Sequence, residues 1–288
     1  MNAQHLGGST GQGAQIDLCE RLKRQNETIL AQNTALAMKQ SEMRRLVEDL
    51  KAGQSVLPKV EGKESGDWVL IDTEHAPQTP VLVQAQLQAA ACTRTTPIVR
   101  AAKNDPDLIK LYLDMGALGI VVPFINTPEE AELGADACRY PPRGTRGWGP
   151  HRAAGYGLYE AEYTATIDDN VLYLPIIETV EAIENIDAIM DVDGLDGVIV
   201  GPVDLCISLG VPSQFEHPAY LDALKRVRLA ARRTGKPASI PLLGPLSDQQ
   251  SIRKQVAGGG RLLLVGGDEP ALRDAFLQTL GNLSFLKK

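Results

Sequence analysis

Short apolar runs of this sequence end in ionisable side chains, a pattern typical of active sites built where strands end. In a parallel α/β barrel the carboxyl ends of the strands lie on one side, so residues that follow such runs are expected to converge there. Together they could supply metal ligands, a general base and a group that stabilises an anion. These residues are Asp72, Glu74, His75, Arg100, Glu178 and Asp204.

Glu178 and Asp204 follow neighbouring runs and could hold one divalent cation through carboxylate oxygens, which leaves positions open for water or substrate. A 2-oxo acid would complete such a shell, because its carboxylate and keto oxygens bind a cation together and the cation polarises the carbonyl. For either carboxylate alone, a helix N-cap or an exposed loop charge is the alternative. Two carboxylates at adjacent strand ends favour the metal site.

His75 is placed best for proton transfer, because the other three of the four histidines lie in the N-terminal tail or in polar loops. Near a metal it could remove a proton next to a polarised carbonyl. Asp72 and Glu74 are local candidates for the carboxylate that would fix its tautomer. A loop histidine that is hydrogen-bonded for structure is the alternative.

Arg100 ends the run PIVR, where its guanidinium could stabilise the enolate or alkoxide oxygen that develops when a carbon–carbon bond is made or broken. A structural salt bridge to a neighbouring carboxylate is the alternative. No lysine lies inside a predicted strand, so a Schiff-base route has no candidate and a metal would have to be the electron sink.

Short aliphatic runs alternate with helical patterns, which predicts a parallel sheet covered by helices. Helix-like stretches lie at 105–115, 127–138 and 220–234, and one more strand near 55–57 would close a (β/α)8 TIM barrel. A doubly wound open sheet is the alternative, although no GxGxxG or GxxxxGK[ST] motif follows any run. The predicted strands are 68–72, 97–100, 118–123, 172–177, 197–201, 238–242 and 261–265.

The chain is expected to divide into a flexible tail at 1–15, an N-terminal helix at 16–53 and a barrel at 54–288. Within the predicted helix, apolar residues recur at every seventh position, but the companion positions are mostly polar. This pattern leaves open whether the helix associates with itself or docks on the barrel or a neighbouring subunit. The repeating residues are Leu22, Ile29, Leu36, Met43 and Leu50.

Composition excludes several classes of protein. The net charge of −7 opposes binding to nucleic acid or an anionic membrane surface. No apolar run approaches the roughly 20 residues of a membrane-spanning helix, and residues 1–15 lack the features of a signal peptide, so a cytoplasmic protein is expected. Without CxxC spacing, the cysteines are expected to be buried free thiols. They are Cys19, Cys92, Cys138 and Cys206.

The segment 139–157, RYPPRGTRGWGPHRAAGYG, is dense in Gly, Pro, Arg and aromatic residues. Its length suggests a lid or an element between subunits over the mouth of the barrel, while a solvated surface loop is the alternative.

The blocks WVLIDTEHAP, PIVRAAKNDP, RYPPRGTRGWGP, PIIET and GVIVGPVDLCISLG resemble those of the HpcH/HpaI aldolase family, the class II pyruvate aldolases. The resemblance runs from Asp67 to Phe276. It implies a (β/α)8 barrel, usually a homo-oligomeric hexamer, that cleaves a 4-hydroxy-2-oxo acid to pyruvate and an aldehyde. It also implies a divalent cation, Mg²⁺, Mn²⁺ or Co²⁺, on which the pyruvate enolate forms.

The resemblance also implies roles for individual residues. His75 would be the proton acceptor, Arg100 the transition-state stabiliser, and Asp114 the carboxylate that increases the basicity of the histidine. The implied metal ligands are Glu178 and Asp204, and the implied substrate-binding positions are Val203, Ile176 and Gly201.

The chain departs from the family pattern at several places. Ile176 stands where the family has a substrate-contacting Gln, which puts the substrate in doubt. Lys103-Asn104-Asp105 replaces WND, and Cys206 replaces Ser, changes that could alter the choice of acceptor. The stretch from Gly53 to Trp68 is too short for a complete first strand and helix.

Two other functions compete with the aldolase. One keeps the metal enolate but acts on oxaloacetate by decarboxylation, as in the related macrophomate synthase. The other is a non-catalytic barrel relative that works as an interaction protein through its N-terminal helix. The survival of every ionisable residue at the strand ends favours an enzyme.

Overall fold

A parallel sheet surrounded by helices makes up the part of the chain that the computed structural model describes, residues 68–242, 249–258 and 260–283. The predicted tail at 1–15, the helix at 16–53 and the strand near 55–57 lie outside the described residues.

The sheet has six parallel strands, which follow one another in the order in which the chain supplies them. A doubly wound sheet reverses its strand order at a switch point, so that alternative is wrong. The sheet instead curls in one direction, as part of a barrel would. The strands are β1 Trp68–Asp72, β2 Thr96–Arg100, β3 Gly119–Val122, β4 Leu172–Ile177, β5 Val198–Val200 and β6 Ala238–Ser239.

Helices connect successive strands, and the three stretches predicted as helical are confirmed. Several begin with Thr-Pro or Asp-Pro, in which the first side chain caps the helix and the proline occupies its first turn. The helices are α1 Pro80–Ala91, α2 Pro106–Asp114, α3 Pro128–Ala137, α4 Glu160–Asn170, α5 Val180–Glu184, α6 Ile186–Asp191, α7 Pro202–Ser208, α8 Pro218–Thr234, α9 Gln249–Ala257 and α10 Asp268–Asn282, with a 3₁₀ turn at Gly155–Gly157.

The two faces of the sheet pack into separate apolar clusters. In β4, Leu172, Leu174 and Ile176 belong to the smaller cluster on the inner face. Tyr173 and Ile177 belong to the larger cluster between the sheet and the helices. Because side chains alternate along a strand, burial on both faces explains why the strands read as continuous apolar runs.

The prediction of a strand at 261–265 is wrong, because the structure has no extended strand there. Only one parallel bridge forms there, between Leu242 and Val265. The neighbouring β6 is short, and Pro241 follows it without a backbone N–H for a ladder. Leu262 nevertheless enters the inner cluster, where it is 3% exposed.

The prediction that the cysteines are buried free thiols is confirmed for only some of them. Cys138 and Cys206 are buried free thiols, whereas Cys92 is free and exposed; Cys19 lies outside the described residues. Among the helices of the described ranges, none combines the length and the apolar character needed to cross a membrane.

Gly134 in α3 provides a test of this packing. A Cβ there would strike the hydroxyl and ring of Tyr173, which is fully buried and cannot move aside. We expect Gly134→Ala to lower the free energy of unfolding by about 1–3 kcal/mol, the usual effect of overpacking. Urea denaturation measures the change.

Gly281 in α10 is the matched control, because nothing lies near its missing Cβ. Alanine is the better helix former, so Gly281→Ala should be neutral or stabilising. A stabilising effect of Gly134→Ala would contradict the packing of α3 on β4.

Candidate active site

Asp72 and Arg100 form an ion pair at the carboxyl ends of β1 and β2. They are the last residues of their strands and lie opposite each other in the parallel register. Arg100 Nε donates to Asp72 Oδ1 at 2.9 Å, and Nη2 contacts Oδ2. Both carboxylate oxygens therefore hold one guanidinium in a fixed plane.

Asp72 also shapes the turn that presents the next residues. Its Oδ1 accepts the backbone N–H groups of Glu74, at 2.9 Å, and His75, at 3.3 Å. In this turn Glu74 Oε2 lies 3.1 Å from Arg100 Nη1 and 3.6 Å from His75 Nε2. Glu74 therefore bridges the guanidinium and the imidazole, while His75 remains largely exposed.

Glu178 follows β4 and is buried beside the start of α7. Its Oε1 accepts the backbone N–H of Phe124 at 2.8 Å. A Cβ at Gly201 would strike Oε2 and would lie 2.7 Å from the Glu178 Cβ. The missing side chain at Gly201 therefore leaves the space in which this carboxylate sits.

Asp204 lies in the first turn of α7, which begins at Pro202 directly after Gly201. It is close enough to Glu178 and Glu74 to raise the pKa of both. We call the edge formed by the turn after β1, the end of β2, Glu178 and Asp204 the carboxyl rim.

Asp72, Glu74 and Glu178 in the carboxyl rim have pKa values shifted in different directions. Burial raises the pKa of Glu178, and the nearby Asp204 and Glu74 add to this shift. Burial likewise raises the pKa of Glu74 against the effect of Arg100. For Asp72, burial is outweighed by the hydrogen bonds from Arg100 and two backbone amides, so its pKa is lowered.

Asp114 lies apart from these residues. It is the last residue of α2, and its Oδ1 accepts from Arg146 Nη2 at 2.7 Å. The same guanidinium nitrogen contacts the Tyr163 hydroxyl at 2.9 Å, and Arg146 is only 3% exposed. Within one chain, Asp114 is therefore paired with Arg146, and His75 is paired with Glu74.

The segment 139–157 packs against the body of the chain. Arg152 Nη1 donates to the Met115 carbonyl at 2.7 Å, and the Ala153 N–H donates to the Asp114 carbonyl at 3.2 Å. The segment follows the carboxyl end of α3 and leads towards α4 and β4. A helix that follows a strand ends near the amino ends of the strands, so the segment starts on the side of the sheet opposite the carboxyl rim. This placement does not support a lid over the carboxyl rim.

The remaining predicted positions divide between the carboxyl rim and the core. Val203 is exposed in the first turn of α7, and Ile176 is buried below Gly201. Cys206 is buried in the larger cluster. Asp105 caps α2.

Sequence reasoning missed Phe124, whose backbone N–H holds Glu178. Its φ of 52° is rare for an aromatic residue. The only signal in the sequence is its place just after the predicted third strand, because a backbone donor leaves no mark in residue type.

Without metal, Glu178→Gln should be more stable than the natural chain at high pH, because it removes a buried negative charge. Because its folded-state pKa is raised, Glu178 contributes stability below its ordinary value of 4.5, and this contribution is lost as pH rises through the raised value. Glu178→Gln stays neutral throughout. Urea denaturation measures the free energy of unfolding of both proteins at about pH 4 and about pH 8. The difference in favour of Glu178→Gln should be larger at about pH 8.

Glu181→Gln, which removes an exposed carboxylate nearby in α5, is the control for a change of net charge. If the stability difference between Glu178→Gln and the natural chain stayed the same across this range, burial and repulsion at Glu178 would not be the cause.

Asp114→Ala should leave the buried Arg146 guanidinium without its ionic partner. We expect a loss of about 3 kcal/mol, the lower end for breaking a buried ion pair, because Asp114 itself is half-buried. Asp107→Ala in the same helix is the control, since Asp107 pairs with Lys110 in solvent and should matter little. Equal losses in the two variants would contradict the structural role of Asp114.

Comparison with known proteins identifies the family. The profile of the HpcH/HpaI aldolase/citrate lyase family matches residues 51–262. A 2-keto-3-deoxy-L-rhamnonate aldolase of Shigella sonnei (strain Ss046) is 36% identical over 233 residues, which are 80% of this chain and 85% of that protein. A 4-hydroxy-2-oxovalerate aldolase of Rhodococcus jostii (strain RHA1) is 42% identical over 207 residues, 70% of this chain and 77% of that protein.

The fold agrees with a solved relative. The crystal structure of an HpcH/HpaI aldolase from Desulfitobacterium hafniense DCB-2 superposes with a TM-score of 0.74 at 28% identity, covering 82% of this chain and 95% of that one. The relatives are named as aldolases, which break or form carbon–carbon bonds. The chain is therefore an enzyme of the carbon–carbon lyase type and belongs to the HpcH/HpaI aldolase/citrate lyase family.

Proposed function

We propose that this enzyme is a metal-dependent aldolase that cleaves a 4-hydroxy-2-oxo acid to pyruvate and an aldehyde. The observation that carries the proposal is the convergence of two carboxylates, of which Glu178 is buried, with a bridged histidine and arginine at the carboxyl rim. Asp204 is close enough to Glu178 to raise its pKa beyond the effect of burial, and Glu74 links His75 to Arg100. The relatives named 4-hydroxy-2-oxovalerate aldolase and 2-keto-3-deoxy-L-rhamnonate aldolase support this reaction class.

The residues present fit a divalent cation, Mg²⁺, Mn²⁺ or Co²⁺. The glycine at position 201 leaves room for the Glu178 carboxylate. Burial raises the pKa of Glu178 and the nearby Asp204 adds to this shift by repulsion, which a cation shared by the two carboxylates would relieve. In the described part of the chain no third metal-binding side chain joins them. Two carboxylates leave positions for water and for the two oxygens of a 2-oxo acid.

When bound, the cation would polarise the 2-oxo group and make C3 of the pyruvate fragment a better leaving carbanion. His75, exposed and 3.6 Å from Glu74, would take the proton of the 4-hydroxyl, directly or through one water. The C3–C4 bond then breaks, its electron pair passes to the pyruvate fragment as the enolate, and C4 leaves as the aldehyde. The proton taken up by His75 would then be returned to C3, directly or through one water, which completes pyruvate.

Arg100 would bind the oxyanion that develops in this step. Its contacts with Asp72 and Glu74 fix the guanidinium before substrate arrives, so little reorganisation is needed during reaction. Arg100 also compensates the negative charge of the carboxyl rim, which would otherwise repel an acid substrate.

We also propose that the sheet is part of a complete eight-stranded barrel and that the chain forms a homo-oligomer, a hexamer as in the family resemblance. The sequential strand order and the bridge from Leu242 to Val265 support closure. Apolar side chains left exposed on α10 support association with a second surface. They include Leu272, Phe276, Leu277 and Leu280.

Metal-restored pyruvate release is the test. Purified protein is treated with EDTA and assayed with and without Mg²⁺ or Mn²⁺ on a panel of 4-hydroxy-2-oxo acids and oxaloacetate. Glu178→Ala and Asp204→Ala should lower metal-dependent kcat by about a hundredfold or more, since each removes a ligand of the Lewis acid. His75→Asn should cost about 10²–10⁴-fold.

Glu181→Ala, an exposed carboxylate on α5, is the control and should keep full activity. Retained activity in both Glu178→Ala and Asp204→Ala would overturn the proposed metal site. Turnover of oxaloacetate alone would replace the aldolase with a decarboxylase that uses the same residues.

A further inference from the structure

We propose that Asn126 is a positioning residue for Glu178, and that its side-chain amide holds the Glu178 carboxylate in the place where it binds the cation. This inference rests on the proposed metal-dependent function and adds to it a residue that acts on the metal ligand through its neighbours.

Hydrogen bonds link Asn126 and Glu178 in a closed ring. Glu178 Oε1 accepts the N–H of Phe124 at 2.8 Å. The carbonyl of Phe124 accepts from Asn126 Nδ2 at 3.2 Å. Asn126 Oδ1 in turn accepts the hydroxyl of Thr179, which follows Glu178 in the chain and so closes the ring. One amide therefore acts on the carboxylate of Glu178 through Phe124 and on its backbone through Thr179.

The backbone of Asn126 anchors this ring to other elements. Its N–H donates to Glu130 Oε2 at 2.7 Å, and Glu130 belongs to the capping box of α3. Its carbonyl accepts from Nδ2 of Asn185, the residue between α5 and α6, at 2.9 Å. The preceding residue, Ile125, is fully buried in the larger cluster. Asn126 is thus itself fixed in place before it orients its neighbours.

Phe124 needs such a restraint, because its φ of 52° lies in the left-handed region that a bulky residue rarely adopts. A backbone of this kind persists only where the surrounding structure fixes it. Asn126 binds the carbonyl of the same residue whose N–H binds Glu178, so loss of the amide would let that donor move.

The amide of Asn126 is used within the ring at both its oxygen and its nitrogen, so we assign it no contact with substrate. What the ring provides is a fixed carboxylate. A glutamate side chain has several rotatable bonds, and a cation that binds a mobile one must first restrict it, which weakens binding. Groups that orient a metal ligand typically contribute about 10–100-fold in metal affinity.

Binding of Mn²⁺ to the EDTA-treated protein is the test, and it needs no substrate. The electron paramagnetic resonance signal of the free ion falls as the ion binds, which gives the Kd and the number of sites. Asn126→Ala removes both side-chain bonds and keeps the backbone ones. We expect its Kd for Mn²⁺ to rise about tenfold, the lower end for such groups, because Asn126 acts through two intermediates.

Two further readouts separate positioning from loss of fold. Unfolded protein would lower the number of Mn²⁺ sites, whereas loss of positioning raises the Kd of the same number of sites. At saturating Mn²⁺ the kcat of Asn126→Ala for pyruvate release should return to nearly the natural value, because Asn126 does not touch the reacting atoms. The Mn²⁺ concentration that gives half of the maximal activity should rise with the Kd.

Asn170→Ala is the matched control. Asn170 is a buried asparagine at the end of α4, on the side where β4 begins, and its Nδ2 donates to the Thr166 carbonyl at 2.6 Å. Its replacement should lower stability in urea but leave the Kd for Mn²⁺ unchanged. An equal rise of the Kd in Asn170→Ala would contradict a specific role of Asn126.

Thr179 gives a second pair of variants that test the same ring. Thr179→Ser keeps the hydroxyl and should bind Mn²⁺ like the natural chain, whereas Thr179→Ala should bind it more weakly. Thr179→Ala and Asn126→Ala remove the same hydrogen bond. The rise in Kd of the double variant should therefore be smaller than the product of the two single rises.

The outcomes are distinct. A natural chain that does not bind Mn²⁺, or binding that survives in Glu178→Ala, would overturn the proposed metal site and the function built on it. Binding through Glu178 with a natural Kd in folded Asn126→Ala would overturn the role of Asn126 alone. If Asn126→Ala did not fold, equal Kd values in Thr179→Ser and Thr179→Ala would overturn that role instead.

Discussion

The pairing of Asp72 with Arg100 across the ends of β1 and β2 is the interaction on which the rest of the site depends. Because the two strands are parallel and these residues lie opposite in register, their side chains meet on the same face of the sheet. Asp72 then uses its remaining hydrogen-bonding capacity on the amides of the following turn, which fixes Glu74 and His75. One carboxylate thereby orients an arginine, a glutamate and a histidine, and a one-residue slip of register would separate all of them.

A second constraint holds the other side of the site. The buried carboxylate of Glu178 accepts one backbone N–H and occupies the space left by the missing side chain at Gly201. The carboxylates of Asp204 and Glu74 lie nearby. Such an arrangement costs stability in the metal-free chain, and the same repulsion favours a cation when one binds. The change in stability expected for Glu178→Gln and the proposed metal dependence of catalysis would therefore be two consequences of one electrostatic arrangement.

The strand ends could be predicted from the sequence because burial on both faces produces continuous apolar runs. An ionisable residue that ends such a run must lie at the end of the strand, where the buried part of the sheet stops. Asp72, Arg100 and Glu178 were found in this way. Phe124 could not be found, because a backbone donor carries no chemical signature. Gly201 was named only through the family resemblance, because an absent side chain carries no chemical signature either. The run at 261–265 has strand composition, but pairing also needs backbone groups on a neighbouring strand. The neighbouring β6 is short and is followed by Pro241, which lacks a backbone N–H, and only the bridge between Leu242 and Val265 forms.

Asp114 shows why residue type and family pattern are insufficient to assign a role within one chain. Its carboxylate belongs to a buried pair with Arg146 at the end of α2, and the segment 139–157 packs around that pair. A helix that follows a strand ends where the next strand begins, so its last residue is carried away from the carboxyl rim. Any effect of Asp114 on the histidine of its own chain would have to act through intervening structure. Its direct contacts assign it to holding Arg146, whereas the carboxylate that contacts His75 in the same chain is Glu74.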